Sequence, residues 1–314
     1  MNGGGRGALV ALLLPLWALA PGCAEGPGDV APIVAELERL GFVPPGSTRP
    51  WTVPDSFEVG VDSPLLVDLY EVRRADFLAL GLGAPEARGW ASTGEVWDEA
   101  TAELPAYADW SEAARVAELR GMRLPTASEW LYVAAGRIGH RYPWGKNPQR
   151  SVANTLELDL LRPSPVGAFE SGRGPFGTYD QIGNVWEWVA DLAPDTEVGD
   201  LRAVMGGSYL TWTRPLWTAG REAGVPLAFF AQPLDPGHRA VDVGFRCVAD
   251  AEDWLWQAGL EAGPLEGATA ARVRAVGADW VQLGEASLLE LLDKLADEPD
   301  CPELILLLLQ GARS

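Results

Sequence analysis

The chain has 314 residues, with 24 Lys plus Arg against 44 Asp plus Glu and a formal net charge of −20 at pH 7. That length suits one large domain or two smaller ones. The charge argues against a nucleic-acid partner, whose phosphates would be repelled. It is compatible with calcium uptake and an extracytoplasmic life, and establishes neither.

At the N-terminus Arg6 precedes an apolar run from Ala8 to Ala20, which is shorter than a membrane-spanning helix needs. The run ends Leu19-Ala20-Pro21-Gly22-Cys23, so residues 1–23 read as a secretion signal whose end resembles a bacterial lipobox, with Cys23 lipidated. Ala20 stands where Leu is usual and Pro21 is atypical; simple secretion is the alternative. The expectation is an exported, lipid-anchored protein of a bacterial cell envelope that touches the membrane only through its lipid. Cys247 and Cys301 then remain, and both a disulfide and isolated thiols stay open.

Residues 24–49 read as a Gly/Pro/Ala-rich tether followed by a short helix over Pro32 to Leu40, with Ile33, Leu37 and Leu40 on one face. Gly41 to Pro54 is punctuated by prolines. Phe57 to Tyr70 suggests short strands, Arg73 to Leu80 a helix, 82–108 loops, and Ser111 to Leu119 a second helix. Thr126-Ala127-Ser128-Glu129 is a capping box, so a helix should begin at Ala127 and end near Gly136. Arg137 to Ala168 is dominated by loops.

The stretch from Gly174 to Asp191, GPFGTYDQIGNVWEWVAD, passes through a Gly183-Asn184 bend into Val-Trp-Glu-Trp-Val. In an extended segment Trp186 and Trp188 share one face and Glu187 takes the other. Asp180 and Glu187 flank the bend. Their carboxylates and the carbonyls of Gly183 and Val185 form an oxygen set of the kind a hard cation such as calcium requires. The alternative is a tight turn running into a core strand, with Asp180 capping the turn and Glu187 solvated.

GNVWEWVAD resembles the signature of the sulfatase-modifying-factor family, which includes the formylglycine-generating enzymes. Further matches stand in family order: Tyr70-Glu71-Val72, Arg123-Leu124-Pro125-Thr126 through Glu129-Trp130, Tyr142-Pro143-Trp144-Gly145, Ala153-Asn154-Thr155, Pro165-Val166-Gly167, Gly206-Gly207-Ser208-Tyr209 and Gly244-Phe245-Arg246-Cys247. The resemblance covers residues 50–250. It implies an α+β, C-type-lectin-like fold with few regular elements and long loops. It also implies structural calcium at Asp180, Gly183, Val185 and Glu187, and a second calcium at Asn154, Thr155, Asp159 and Leu161. Around Asp159 the family has glycines where this chain has Leu156-Glu157-Leu158-Asp159-Leu160-Leu161. A buried turn is the even alternative there.

Formylglycine-generating members oxidise a protein cysteine with copper(I) held by two thiolates, a soft donor pair for a soft ion. In this register the two positions are Thr211 and Leu216, and Met205 stands where an Arg commonly precedes the Gly-Gly. No copper is therefore expected. A sulfoxide-forming branch uses iron on three histidines, whereas this chain has two, His140 and His238. Ser208 lacks a surrounding Gly-x-Ser-x-Gly. The resemblance thus implies a non-catalytic binding or scaffold protein, with an envelope protein or glycan as partner. An oxidase with a displaced or atypical site is the alternative.

From Ala251 the composition turns helical. Glu252 to Leu260, Ala270 to Val276, Ala286 to Ala296 and Pro302 to Gln310 read as helices of an appendage over 251–314. Leu304 to Leu309 is apolar all round and must be covered. The expected cover is the leucine face of Leu288, Leu289, Leu291, Leu292 and Leu295, in a helical hairpin joined to the core by Trp254, Trp256 and Trp280; a partner protein or a second copy is the alternative.

Overall fold

In a computed structural model of the chain, residues 32–50, 58–86, 97–147, 149, 151–193, 200–212 and 232–314 are described. Cys23 and Leu216 lie outside them. The architecture is α+β. Helix α1 (Pro32–Leu37) leads into strands β1 (Leu40–Val43) and β2 (Gly46–Thr48), then β3 (Val59–Val61), β4 (Leu65–Asp68) and α2 (Arg74–Ala79). Helices α3 (Trp110–Leu119) and α4 (Ala127–Ala135) follow. Next come β5 (Trp186–Leu192), β6 (Arg202–Met205), β7 (Gln232–Leu234), β8 (Val243–Gly244) and β9 (Val248–Asp250). Three helices close the chain: α5 (Ala251–Ala262), α6 (Gly267–Ala296) and α7 (Glu303–Ala312).

Two sheets matter for function. One has the order β1-β4-β9, wholly antiparallel, and brings Leu65 opposite Asp250. It ties the start of the described chain to the point where the C-terminal helices begin. The other has the order β7-β6-β5-β8, in which Glu187 of β5 lies opposite Met205 on one side and Gly244 on the other. That register delivers Arg246, two residues beyond Gly244, to the same level as Glu187.

Helix α4 forms where the capping box places it. The Thr126 hydroxyl accepts the Glu129 amide at 3.2 Å, and the Glu129 carboxylate accepts the Thr126 amide at 2.8 Å. Gly136, at φ 66°, ends it. Two expectations need correction. Leu40 is not helical: α1 stops at Leu37, and the proline-punctuated stretch after it carries strands β1 and β2. The helices expected at Ala270–Val276 and Ala286–Ala296 are one element, interrupted only at Gly284, where φ is −155° and ψ is 43°.

The C-terminal helices share a hydrophobic core with the domain. One cluster runs from Phe42, Leu66 and Phe245 through Leu255 and Trp280 to Leu292, Ile305 and Leu308. The Trp280 indole donates to the Leu40 carbonyl at 2.9 Å and stacks on Phe42, with ring centroids 6.2 Å apart. Trp254 donates to the Arg120 carbonyl at 3.4 Å. The apolar run Leu304–Leu309 is buried except at Leu306, which is 40% exposed. Its cover is intramolecular, as expected, and rests on absent side chains. A Cβ on Gly277 would stand 2.2 Å from the Leu308 carbonyl oxygen, and one on Gly311 would stand 1.9 Å from that of Arg274.

Candidate functional site

The loop entering β5 is shaped by left-handed residues. Asp180 (φ 55°), Gly183 (φ 85°) and Asn184 (φ 56°) coil it tightly. At position 183 only glycine fits, since a Cβ would lie 2.3 Å from the Asn154 carbonyl oxygen. That close approach joins the two loops expected to hold separate calcium ions. The Asn184 amide donates to the Asn154 carbonyl at 2.7 Å, and the Asn154 side-chain amide reaches Asn184 Oδ1 at 3.1 Å and Ser164 Oγ at 3.2 Å.

Glu187 is fully buried, which overturns the solvated alternative. Both faces of β5 are covered, and the face opposite the tryptophan pair meets α4. There the Trp130 indole donates to Glu187 Oε2 at 2.6 Å. Arg246 closes on the same carboxylate with two bonds, Nε to Oε2 at 2.7 Å and Nη2 to Oε1 at 2.6 Å. Its remaining donors go to the carbonyls of Tyr179 and Asp68. Burial works against a charged guanidinium, but Glu187 outweighs it and holds the Arg246 pKa above its ordinary value.

Glu71 is the residue that spacing did not single out. It is fully buried, accepts the Val185 amide at 3.1 Å on Oε1 and the Asn184 side-chain amide at 2.6 Å on Oε2, and so splints the bend. Burial pushes its pKa well up, with the nearby carboxylates of Asp180 and Glu187 adding to the effect. Asp180 accepts the Gly167 amide at 2.6 Å on Oδ2. Burial raises its pKa to about 6, against the opposing pull of that amide and of Arg246. Three buried carboxylates thus face one guanidinium. In the sequence Glu71 stands only within the short Tyr70-Glu71-Val72 match; its role depends on contacts 113 and 114 residues away.

Calcium takes six to eight oxygens. Asp180 Oδ1 and Asn154 Oδ1, one from each expected set, are buried without a hydrogen-bond partner and suit such a cation. Glu187 suits it less, since its oxygens already serve Arg246 and Trp130. Among the described residues no group of three or more Asp, Glu, His or Cys side chains stands in metal-holding geometry. A calcium here would rely on carbonyl and amide oxygens beside Asp180. In the second set Thr155 is buried, but Asp159 and Leu161 are exposed. Both take positive φ, 58° and 52°, without the family's glycines.

At the copper register, Thr211 makes a turn. Its hydroxyl accepts the Ser208 amide at 2.9 Å, its amide donates to the Ser208 carbonyl at 2.9 Å, and its carbonyl accepts from Leu156 at 3.1 Å. Ser208 Oγ donates to Asp242 at 3.0 Å. Cys247 and Cys301 are both free thiols. Burial pushes both thiol pKa values up, that of Cys247 strongly, so neither is a ready thiolate. His140 is half-buried and His238 is exposed in a turn.

Comparison with known proteins fits this geometry. The family model described as "Sulfatase-modifying factor enzyme 1-like domain" matches residues 87–251. The chain is 31% identical over 161 residues to the mouse protein named inactive C-alpha-formylglycine-generating enzyme 2, covering 48% of this chain and 50% of that one. It is 30% identical over 177 residues to the formylglycine-generating enzyme of Thermomonospora curvata, covering 46% and 54%. It is 34% identical over 131 residues to hercynine oxygenase of Mycolicibacterium smegmatis, covering 34% and 28%. The chain therefore spans about half the length, or less, of these curated relatives. Among solved structures, PvdO from Pseudomonas aeruginosa superposes with a TM-score of 0.51 at 21% identity, over 67% of this chain and 94% of that one. CarF does so with a TM-score of 0.50 at 19% identity, over 67% and 97%. These two likenesses concern the fold alone.

Proposed function

The chain belongs to the sulfatase-modifying-factor family, and we propose that it is a non-catalytic member: a binding or scaffold protein, exported and lipid-anchored through Cys23 in a bacterial envelope, with calcium bracing its loops. The observation that carries this reading is Thr211. A hydroxyl engaged with the Ser208 amide stands where the family's oxidases present a copper thiolate. A hard, neutral oxygen is a poor donor for copper(I). Leu216 supplies no donor at the second position, and the thiol of Cys247 is buried in the core. The likeness to a mouse protein named as inactive accords with this.

The calcium part rests on the orphaned oxygens of Asp180 and Asn154 and on the surplus of buried carboxylate. If bound there, an ion supplies fixed positive charge that braces its loop. Asp180 would contribute to one ion and Asn154 to the second, and Glu71 would orient the bend through Val185 and Asn184. The ligand of the scaffold is an envelope protein or a glycan.

The test is copper(I) titration of the purified protein, followed by oxygen uptake with a cysteine-containing peptide. The expected result is no stoichiometric thiolate-type copper binding and no turnover. Binding with turnover would establish the competing oxidase reading, for which the likeness to the Thermomonospora enzyme speaks. Lipidation is tested by Cys23→Ala, which should move the protein to the soluble fraction or stall its processing. Unchanged membrane partition with a free mature N-terminus would count against it.

A further inference from the structure

A second feature lies where the domain meets the C-terminal helices. Helices α1 and α2, the end of α3, helix α5 and the end of α6 surround a groove of about 1010 Å³. Its floor is apolar. Ile33, Met122, Trp254 and Leu295 are buried there, and Leu80 and Trp256 are half-buried. Its rim is acidic: among the described lining residues, eight carboxylates stand against three cations, with Asp76 paired to Arg39 and Arg73 and Glu118 to Arg115 from outside the lining.

The cations are already engaged. Arg120 is held by Asp68 and Glu36, Arg123 by Glu129, and Lys294 by Glu252. Asp253 and Glu298 are left exposed on the rim. Apolar floor and acidic rim together call for an occupant with apolar anchors and positive charge. The chain leading into Pro32 has the wrong sign, because residues 7–31 contain Glu25 and Asp29 and no Lys, Arg or His. A second copy is disfavoured by the net charge of −20.

We propose that this groove docks a basic segment of another protein, with its apolar side chains on Trp254 and Trp256 and its Lys or Arg side chains facing Asp253 and Glu298. The site is separate from the loop cluster around Glu187, so its test is independent of whether the family oxidation survives.

The experiment uses the full-length protein in detergent and a labelled twelve-residue peptide of alternating Leu and Arg, read by fluorescence anisotropy. Three competitors are compared: the same peptide with Glu for Arg, the same with Ala for Leu, and spermidine. The Leu/Arg peptide should bind, and each competitor should displace it at least tenfold more weakly than the unlabelled parent. Asp253→Lys with Glu298→Lys should weaken binding at least tenfold. Glu58→Lys with Asp62→Lys makes the same change in net charge on exposed residues around the β2–β3 hairpin, and should weaken it less than twofold. Trp256→Leu should also weaken it tenfold with the melting temperature unchanged. The proposal is overturned if the peptide does not bind, if spermidine or the Ala peptide competes equally, or if both charge reversals weaken binding alike. A loss in Trp256→Leu that accompanies unfolding is set aside, and the exposed-rim pair alone then decides.

Discussion

Arg246 and Glu187 form a two-pronged ion pair in which the side chains are 1% and 0% exposed, with N–O distances of 2.7 and 2.6 Å. The pair bridges β5 and the segment after β8, and through Trp130 it helps fasten helix α4 to the sheet. Replacing both partners with apolar groups of matching volume can be nearly neutral, but removing one strands a buried charge at a cost of about 3–5 kcal/mol. Arg246→Met and Glu187→Gln should each lower stability by roughly that amount, measured by urea unfolding. The double variant should lose less than the two singles added. Strict additivity would show that the two charges do not depend on one another.

Asp180 gives the site a pH dependence of defined sign. Its folded pKa of about 6 lies above that of the unfolded chain, so between roughly pH 4 and pH 6 the native state binds the proton more tightly. Its contribution is present at low pH and is lost as pH rises through 6. The loss amounts to at most about 3 kcal/mol, from roughly two pKa units at 1.36 kcal/mol each. Measured in chelator, wild type should therefore lose stability relative to Asp180→Asn between pH 5 and pH 7.5. A wild-type-to-variant difference that does not change with pH would remove the basis for the raised pKa.

Calcium should reverse that penalty. An ion that binds only the folded state at a hundred times its dissociation constant adds about 2.7 kcal/mol, or roughly 5–10 °C in a domain of this size. Wild type at pH 7.5 should melt higher in millimolar calcium than in chelator. Asp180→Ala should abolish the difference and Asn154→Ala should reduce it. If chelator leaves the wild-type melting temperature unchanged across a wide calcium range, the loop stands without metal.

What can be read in the sequence is what depends on neighbours in the chain. The Thr126–Glu129 capping box places α4 because both of its bonds span three residues. The ordered motifs are legible for the same reason, each being a local stretch, and the α+β class is what the family resemblance they carry implies. Glu187 is visible as a candidate, but strand alternation gives only the face opposite the tryptophans and cannot tell that a second layer covers it. Its partner Arg246 is 59 residues away. Glu71 is further still from the loop it splints. Strands β1 and β2 are hidden by Pro44 and Pro45, which set the turn between them. The helix expected over Ala270 to Val276 stops just before Gly277, yet α6 runs through it, since the missing side chain is what admits α7. Long-range contact decides each of these cases.

The close passage of α6 and α7 yields the last prediction. Helix α7 presents Leu304, Ile305, Leu307, Leu308 and Leu309 to the core, and α6 answers with Val273, Val276, Leu288, Leu291 and Leu292. The two backbones approach until a Cβ on Gly277 would meet the Leu308 carbonyl at 2.2 Å, an atom that no side-chain rotation can move. Gly277→Val must push α7 outward. Overpacking of this kind costs about 1–3 kcal/mol or more, whereas Gly277 in an open helix would gain from a side chain that favours the helix. The sign of the effect is therefore diagnostic: Gly277→Ala should lower the melting temperature, and Gly277→Val should lower it further. Gly263, at the end of α5, has nothing within 4 Å of an added Cβ, a φ of 61° and a ψ of −156°; Gly263→Ala should cost only its backbone strain, about 1–3 kcal/mol in a region essentially confined to glycine. Deleting residues 299–314 removes the cover altogether and should expose the α6 leucines, giving aggregation by size-exclusion chromatography. A truncated chain that remains monomeric and as stable as the parent would mean that α7 serves a partner protein rather than the core. Melting of the two Gly277 variants at or above wild type would point the same way without the deletion, because it would show that α7 does not pack against Gly277.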